Sequence, residues 1–292
     1  MLSSRDLAAE RAKARRPAGW HAPGPAPAGP RDRPDLAPGP DEVLSFLAGD
    51  WRIFQLRDGH RWSLDDMMTA LTAIEEARGL GAIHRTLDLG CGIGSVLMMV
   101  AWALPDARAV GVEAQPISIE LGRRSLRYNG ADQRCELRHG DLRDPTLLPE
   151  GPSFDLVTGT PPYIPIGRGL VSSKVQRGPC CFEIRGGVED YCSAAARALA
   201  PGGRFVVCAG PWPPDRIDRA ARQAALDITR RIDVVPRDGK PTLFGVYVMQ
   251  RMAEGEPASG PAERFLVRHA DGRLSAEMHR ARATLGMPPA RE

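Results

Sequence analysis

From Asp41 onward, short β-branched runs alternate with helical patterns of about a dozen residues, and this alternation constrains the fold more than any other feature. Runs that are apolar almost throughout need cover on both faces, which helices wrapped around a mostly parallel sheet provide. The candidate strands are RTLDLG, RAVGVEA, RCELRHGD, FDLVTGT, GRFVVCAG, ITRRIDVVP and LFGVYVMQ. Between the first two, SVLMMVAWAL is apolar nearly all round, as a helix pressed between sheet and neighbours would be. Pro116 suits a first helical position, and the pattern that follows stops at Asn129 and Gly130, an end signal. The last two runs are joined by RDGKPT, too short for a crossover helix, so they should pair antiparallel. The expected fold class is therefore α/β, doubly wound, with seven strands and an antiparallel last hairpin.

Flanking segments are expected outside this unit. Residues 1–40 are rich in Pro, Ala and Arg, and read as a disordered leader. They hold seven basic and four acidic residues, which accounts for the chain's whole net charge of +3 and leaves the rest formally neutral. Asp6 and Glu10 argue against a mitochondrial address. The domain is expected over 41–251. MAEGEPASGPAE then reads as a linker, and 252–292 as a tail with a short helix through Leu274, Met278, Ala281 and Leu285. Whether that tail packs on the domain or on a second subunit stays open, as does the oligomeric state.

Composition excludes several classes. With 39 Lys plus Arg against 36 Asp plus Glu, no strong overall field draws the chain to nucleic acid or membrane. The longest apolar stretch is too short to span a bilayer. The six cysteines have no C-x-x-C spacing and read as reduced thiols of a cytoplasmic protein. The vicinal Cys180 and Cys181 lack histidine at ligand spacing, so no metal is expected.

The chemistry-bearing residues fall at strand ends. Asp88 closes the first strand, and Gly90, Gly92 and Gly94 follow before a helix, where backbone N–H groups can approach a ligand. Such turns also serve NAD, FAD and nucleotides. Glu113 ends the second strand, placed to accept both hydroxyls of a ribose, and Asp141 ends the third, placed to accept from an adenine amine. The fourth strand delivers Thr160, Pro161, Pro162 and Tyr163 to the same edge. Prolines fix the backbone there and remove donors, so a primary amine could give one N–H to the Pro161 carbonyl and the other to Thr160. Tyr163 offers a flat face for stacking. His60 and His139 flank this region and read as structural hydrogen-bonding residues.

DLGCGIG, Glu113, HGD and TPPY, in this order and spacing, resemble the class I S-adenosylmethionine-dependent methyltransferases, close to the bacterial amino-methylating group that includes tRNA adenine-N6 methyltransferases. The likeness covers roughly residues 50 to 250. It implies a Rossmann-like fold and S-adenosyl-L-methionine as cofactor, with Asp88 and the glycine turn at its amino-acid end, Glu113 at the ribose, and Asp141 with the adjoining Leu142 at the adenine. QLRDGHRWSLDD resembles the family's segment over the methionine end, which brings Ser63 and Asp65 into the cofactor set. The resemblance implies methyl transfer to an amino group, with adenine in tRNA or other RNA as the favoured substrate. A protein glutamine, a small molecule, or a catalytically weak adaptor remain alternatives.

One departure stands out: the family usually has Asn or Asp where this chain has Thr160, and a hydroxyl reaches less far than an amide oxygen. RNA contacts could come from the leader, from Arg168, Lys174 and Arg177 after TPPY, or from Arg237 and Lys240 in the last hairpin.

Overall fold

The structure is a computed structural model, and it describes residues 17–148, 151–165, 167, 176–252 and 260–290. All seven expected strands form, as β3 (Arg85–Leu89), β4 (Arg108–Glu113), β5 (Cys135–His139), β6 (Phe154–Gly159), β7 (Leu199–Ala209), β8 (Leu226–Val235) and β9 (Phe244–Arg251). Among the described residues the sheet has eight strands, however, because β10 (Glu263–Leu266) joins it, in the order β10-β8-β9-β7-β6-β3-β4-β5. This eighth strand pairs parallel with β8. Strands β3 to β7 run parallel and β9 runs antiparallel between β7 and β8, as the short connection requires.

Helices cover both faces. On one face lie α1 (Leu64–Gly79), α2 (Ser95–Ala103) and α3 (Pro116–Asn129), whose Met68, Met98 and Ile119 join one buried core. On the other, past the short α4 (Arg177–Cys181), α5 (Val188–Ala198) buries Tyr191 and Cys192 against β6 and β7, and α6 (Arg216–Gln223) packs on α5 and β8 and adds Ile217 to the same core. Helix α3 behaves as its sequence implies, with Pro116 in the first turn and Gly130 left-handed at φ 70° as its cap. A hairpin of β1 (Glu42–Phe46) and β2 (Arg52–Leu56) lies along α3. Polar side chains of α3 satisfy the backbone of β2: Arg52 N–H donates to Asn129 Oδ1 at 2.9 Å and Phe54 N–H to Ser125 Oγ at 2.9 Å.

Both flanking expectations need correction. The leader was expected to be disordered through residue 40, yet residues 17–40 lie on the domain as a strap; residues 1–16 are outside the described set. Leu36 is buried, Gly29 N–H donates to the Tyr128 carbonyl, and Arg124 donates to the Asp35 and Ala37 carbonyls. Proline's missing N–H explains how such a segment can pack: few donors need partners, and an arginine fork can serve the carbonyls. The domain boundary at 251 is likewise corrected. β10 extends the sheet, and α7 (Ala276–Thr284) buries Met278, Ala281 and the following Leu285 in the main core. No helix among the described residues is long and apolar enough to cross a membrane.

Candidate active site

The chain order reverses between β3 and β6, which are neighbours in the sheet although β4 and β5 intervene in sequence. In doubly wound sheets such a switch point opens a crevice at the carboxyl ends of the strands. A cavity of about 760 Å³, counting its open mouth, lies there, lined by the ends of β3, β4, β5 and β6.

The glycine turn and Glu113 build its floor together. Gly90 has φ 59°, and a Cβ there would sit 2.0 Å from the Tyr191 hydroxyl oxygen, so no larger residue fits. Gly92, at φ 54°, faces open space: an added Cβ would meet nothing within 4 Å. Glu113 is 7% exposed. Its carboxylate accepts Gly92 N–H at 3.0 Å and Gln115 N–H at 2.7 Å, so the acid that faces the cavity also shapes the turn. Burial raises its pKa. Asp141 lines the cavity farther along, and its hydrogen bonds and charge pairing with Arg143 hold its carboxyl below the usual range.

Of the expected cofactor residues, Gly90, Gly92, Glu113, Asp141 and Leu142 line this cavity, together with Thr160 and Pro162. Asp88 does not. It lies beneath the turn, where it accepts Thr158 Oγ1–H at 2.8 Å and Leu97 N–H at 3.1 Å, tying β3 to β6 and to α2. Gly94 serves as the N-cap of α2. Ser63 and Asp65 are also absent from the lining, because Ser63 caps α1 and Asp65 turns toward Ser63 and Tyr163. The next residue, Asp66, takes the wall position instead, accepting from Ser63 N–H at 2.8 Å and Ser95 Oγ–H at 2.9 Å. One helical step of 100° separates the two acids, too fine a distinction for a loose motif match.

Tyr163 is also placed differently from expectation. Its hydroxyl points inward, 2.7 Å from Cys208 Sγ and 3.3 Å from Asp65 Oδ2, so one end of the ring is anchored in the body. With Pro161, Pro162 and the exposed Trp212 it borders a second hollow of about 300 Å³. Pro162 lines both spaces, so Glu113 and Tyr163 open onto adjoining parts of one edge. Thr160 Oγ1 has no hydrogen-bond partner among the described residues. The segment after TPPY is pinned by Ile164 N–H donating to Cys181 O and Glu183 N–H to Ile164 O. His60 lines the cavity, and His139 Nε2 lies 3.2 Å from the Ala114 carbonyl. Arg185, Gln115 and Ser95 also line the wall; Ser95 directly follows the glycine turn, whereas nothing in the sequence context of Arg185 and Gln115 marked them.

Asp66 and Asp88 are both pushed up to about 7, chiefly by burial. An aspartate in the unfolded chain titrates near 3.9, so from about pH 4 to 7 the native state keeps protons that the unfolded state has released. Each group therefore makes stability fall as pH rises through that window, by up to about 1.4 kcal/mol per pH unit. Urea unfolding at pH 5, 6 and 7 is expected to show a shallower decline for Asp88→Asn than for the unsubstituted chain. Parallel profiles would mean that Asp88 keeps an ordinary affinity for protons.

Comparison with known proteins bears on what fills the cavity. A family described as "Methyltransferase domain" matches residues 86–164, which run from β3 through TPPY. The tRNA1(Val) (adenine(37)-N6)-methyltransferase of Porphyromonas gingivalis is 29% identical over 180 residues, covering 61% of this chain and 68% of the relative. The release factor glutamine methyltransferase of Mycolicibacterium smegmatis is 33% identical over 128 residues, 41% of this chain and 44% of the relative. A predicted O-methyltransferase structure from Agrobacterium tumefaciens superposes with a TM-score of 0.55 at 19% identity, over 78% of this chain and all of that one, and so supports the fold. The chain carries a class I S-adenosylmethionine-dependent methyltransferase domain.

The cavity suits that cofactor. Its wall sets three carboxylates, Asp66, Glu113 and Asp141, against one guanidinium, Arg185, a balance that favours a cationic ligand rich in N–H and O–H donors. Gly92 leaves the space a side chain would fill, so backbone can approach the ligand. The cofactor's ammonium, ribose hydroxyls and adenine amine would meet Asp66, Glu113 and Asp141 respectively. Among the described residues no group of three His, Cys, Asp or Glu side chains is arranged to hold a metal ion.

Proposed function

We propose that this methyltransferase modifies the exocyclic amine of adenine in RNA, with tRNA the first substrate to test. The reading is carried by the TPPY segment, which sets Thr160 and Pro162 in the cavity wall and Pro161, Pro162 and Tyr163 around the adjoining hollow. Of the two named relatives, one is an adenine-N6 methyltransferase and the other a glutamine methyltransferase, and the adenine-modifying one aligns over the larger share of this chain.

When bound, S-adenosylmethionine supplies an electrophilic methyl group on sulfonium. The chain's own task is to orient the acceptor and keep water out. The Pro161 carbonyl accepts none of the described backbone hydrogen bonds, and Thr160 Oγ1 has no hydrogen-bond partner among the described residues. Together they can take both N–H groups of a planar amine, which turns the nitrogen lone pair out of the plane of the base and toward the cavity. Proline at 161 and 162 leaves no backbone donor to compete for those acceptors. A base in a folded RNA must first leave its stack to reach this edge.

Purified protein supplied with methyl-labelled cofactor and bulk tRNA, release factors or small aromatic amines is expected to label tRNA, with N6-methyladenosine recovered on digestion. Label confined to protein or to the small amines would overturn the RNA reading and leave the methyltransferase assignment intact.

A further inference from the structure

Resting on the RNA reading, a second surface on the same edge of the sheet accounts for the C-terminal strand and helix. β10 is parallel to β8, and β8 has the same direction as β6 because β6 is parallel to β7 while β9 is antiparallel to both β7 and β8. The chain leaving β10 therefore emerges at the edge that carries TPPY. β10 and β6 are four positions apart in the sheet. At about 4.8 Å per strand, that is roughly 19 Å.

Two turns meet there, 236–243 between β8 and β9, and 268–274 after β10. Asp238 N–H donates to the Arg268 carbonyl at 2.9 Å, which locks one turn to the other. Gly272, at φ 90°, has its virtual Cβ 4.0 Å from Arg237 Nη2, so the Arg237 side chain lies over the second turn. Each turn holds one acid, and each acid is already neutralised: Asp238 by Arg264 at 2.8 Å, Asp271 by Arg273 at 2.7 Å. Arg237, Lys240 and Arg268 remain exposed and have no carboxylate partner among the described residues. Arg268 also lines an open groove of about 1180 Å³, counting its open mouth, whose walls include His269, His279 and Arg282.

A body that is formally neutral thus concentrates uncompensated positive charge at one place on the reactive edge. We infer that these paired turns bind the phosphate backbone of the RNA whose base enters the TPPY hollow. Arginine forks suit phosphate oxygens, and three cations within two adjoining turns match a run of phosphates better than an isolated charged ligand. The separation of roughly 19 Å lets the turns hold a stem while the target base lies in an unpaired stretch nearby. Of the other sources of charge considered from sequence, residues 1–16 of the leader and the loop holding Arg168 and Lys174 lie outside the described residues, as does the Arg177 side chain.

The test compares the full chain with Arg237→Ala/Lys240→Ala/Arg268→Ala in tRNA titrations at several salt concentrations, alongside cofactor titration and melting. Each lost phosphate contact is expected to lower the slope of log affinity against log salt by roughly 0.7 to 0.9, so the triple variant should lose about two units of slope and at least tenfold in affinity at low salt. Cofactor affinity should be unchanged. The milder Arg237→Gln/Lys240→Gln pair, which spares Arg268 and its side-chain hydrogen bond to the Gly272 carbonyl, should give about two thirds of the loss. Unchanged tRNA affinity and slope in both variants would overturn the inference, as would wild-type protein that binds tRNA no more tightly than an acidic polypeptide. Wild type that binds tRNA steeply through these residues but labels no adenine would sustain the surface and overturn the proposed substrate instead.

Discussion

Glu113→Ala is expected to weaken S-adenosylmethionine binding by at least a hundredfold while leaving a folded protein. Two effects combine. The carboxylate offers the acceptors for a ribose diol, and hydrogen bonds to a charged group contribute about 1.5 to 3 kcal/mol each. The same carboxylate holds Gly92 N–H and Gln115 N–H, so its removal also frees the turn that the ligand must approach. Both oxygens are engaged by backbone before any ligand arrives, which makes Glu113 a preorganised acceptor rather than a mobile surface acid. Glu113→Gln separates the two effects: one amide oxygen can still accept from the turn, but the amide nitrogen cannot serve as the second acceptor. Calorimetric titration should place Gln between wild type and Ala, with both variants melting cooperatively. Affinity for the cofactor within threefold of wild type in the Ala variant would remove Glu113 from the site and shift the ribose to another part of the cavity.

That Glu113 could be singled out without coordinates follows from how the sheet works. Strand ends in a parallel sheet share one edge, so residues that follow successive β-branched runs converge whatever the intervening sequence does. Gly92, Glu113, Asp141 and Thr160 were legible on this ground. Asp88 was misjudged because a strand alternates its faces: one step from the end, its side chain turns under α2 and is consumed by Thr158 and Leu97 N–H. Asp65 and Asp66 differ by a rotation that only the capping of α1 decides. Tyr163 looked like a stacking platform, and nothing local revealed that Cys208 and Asp65 would hold its hydroxyl.

At the ends of the chain, local pattern and tertiary outcome part company. β10 is four residues long and follows a segment with linker composition, so no periodicity announces it; its place comes from pairing with β8 and from the burial of Leu266 and Val267. The strap at 17–40 has the composition of a disordered chain, yet its carbonyls find Arg124 and its Leu36 finds a buried site. Composition reports what a segment can bury on its own, and here the partner surface was supplied by α3.

On the proposed reading, Thr160 decides whether the edge works as an amine-methylating site. Thr160→Val keeps the shape of the side chain and deletes its oxygen, so a planar amine would retain the Pro161 carbonyl alone. Loss of one group that orients the reacting atom typically costs on the order of 10² in turnover. Thr160→Val is therefore expected to lose about a hundredfold in kcat on the labelled substrate, with cofactor affinity within a few-fold of wild type. Thr160→Asn tests the same point from the other side. An amide oxygen extends farther into the cavity and is a stronger acceptor than a hydroxyl, so Asn should restore or exceed wild-type turnover, provided the acceptor nitrogen keeps its approach. The pair is more informative than either variant, because a merely steric role for Thr160 would make Asn, the larger and more polar residue, the worse substitution and leave Val active. Val active and Asn inactive would mean that the hydroxyl accepts nothing, that the Pro161 carbonyl orients the nucleophile unaided, and that threonine stands at 160 to keep the entrance narrow.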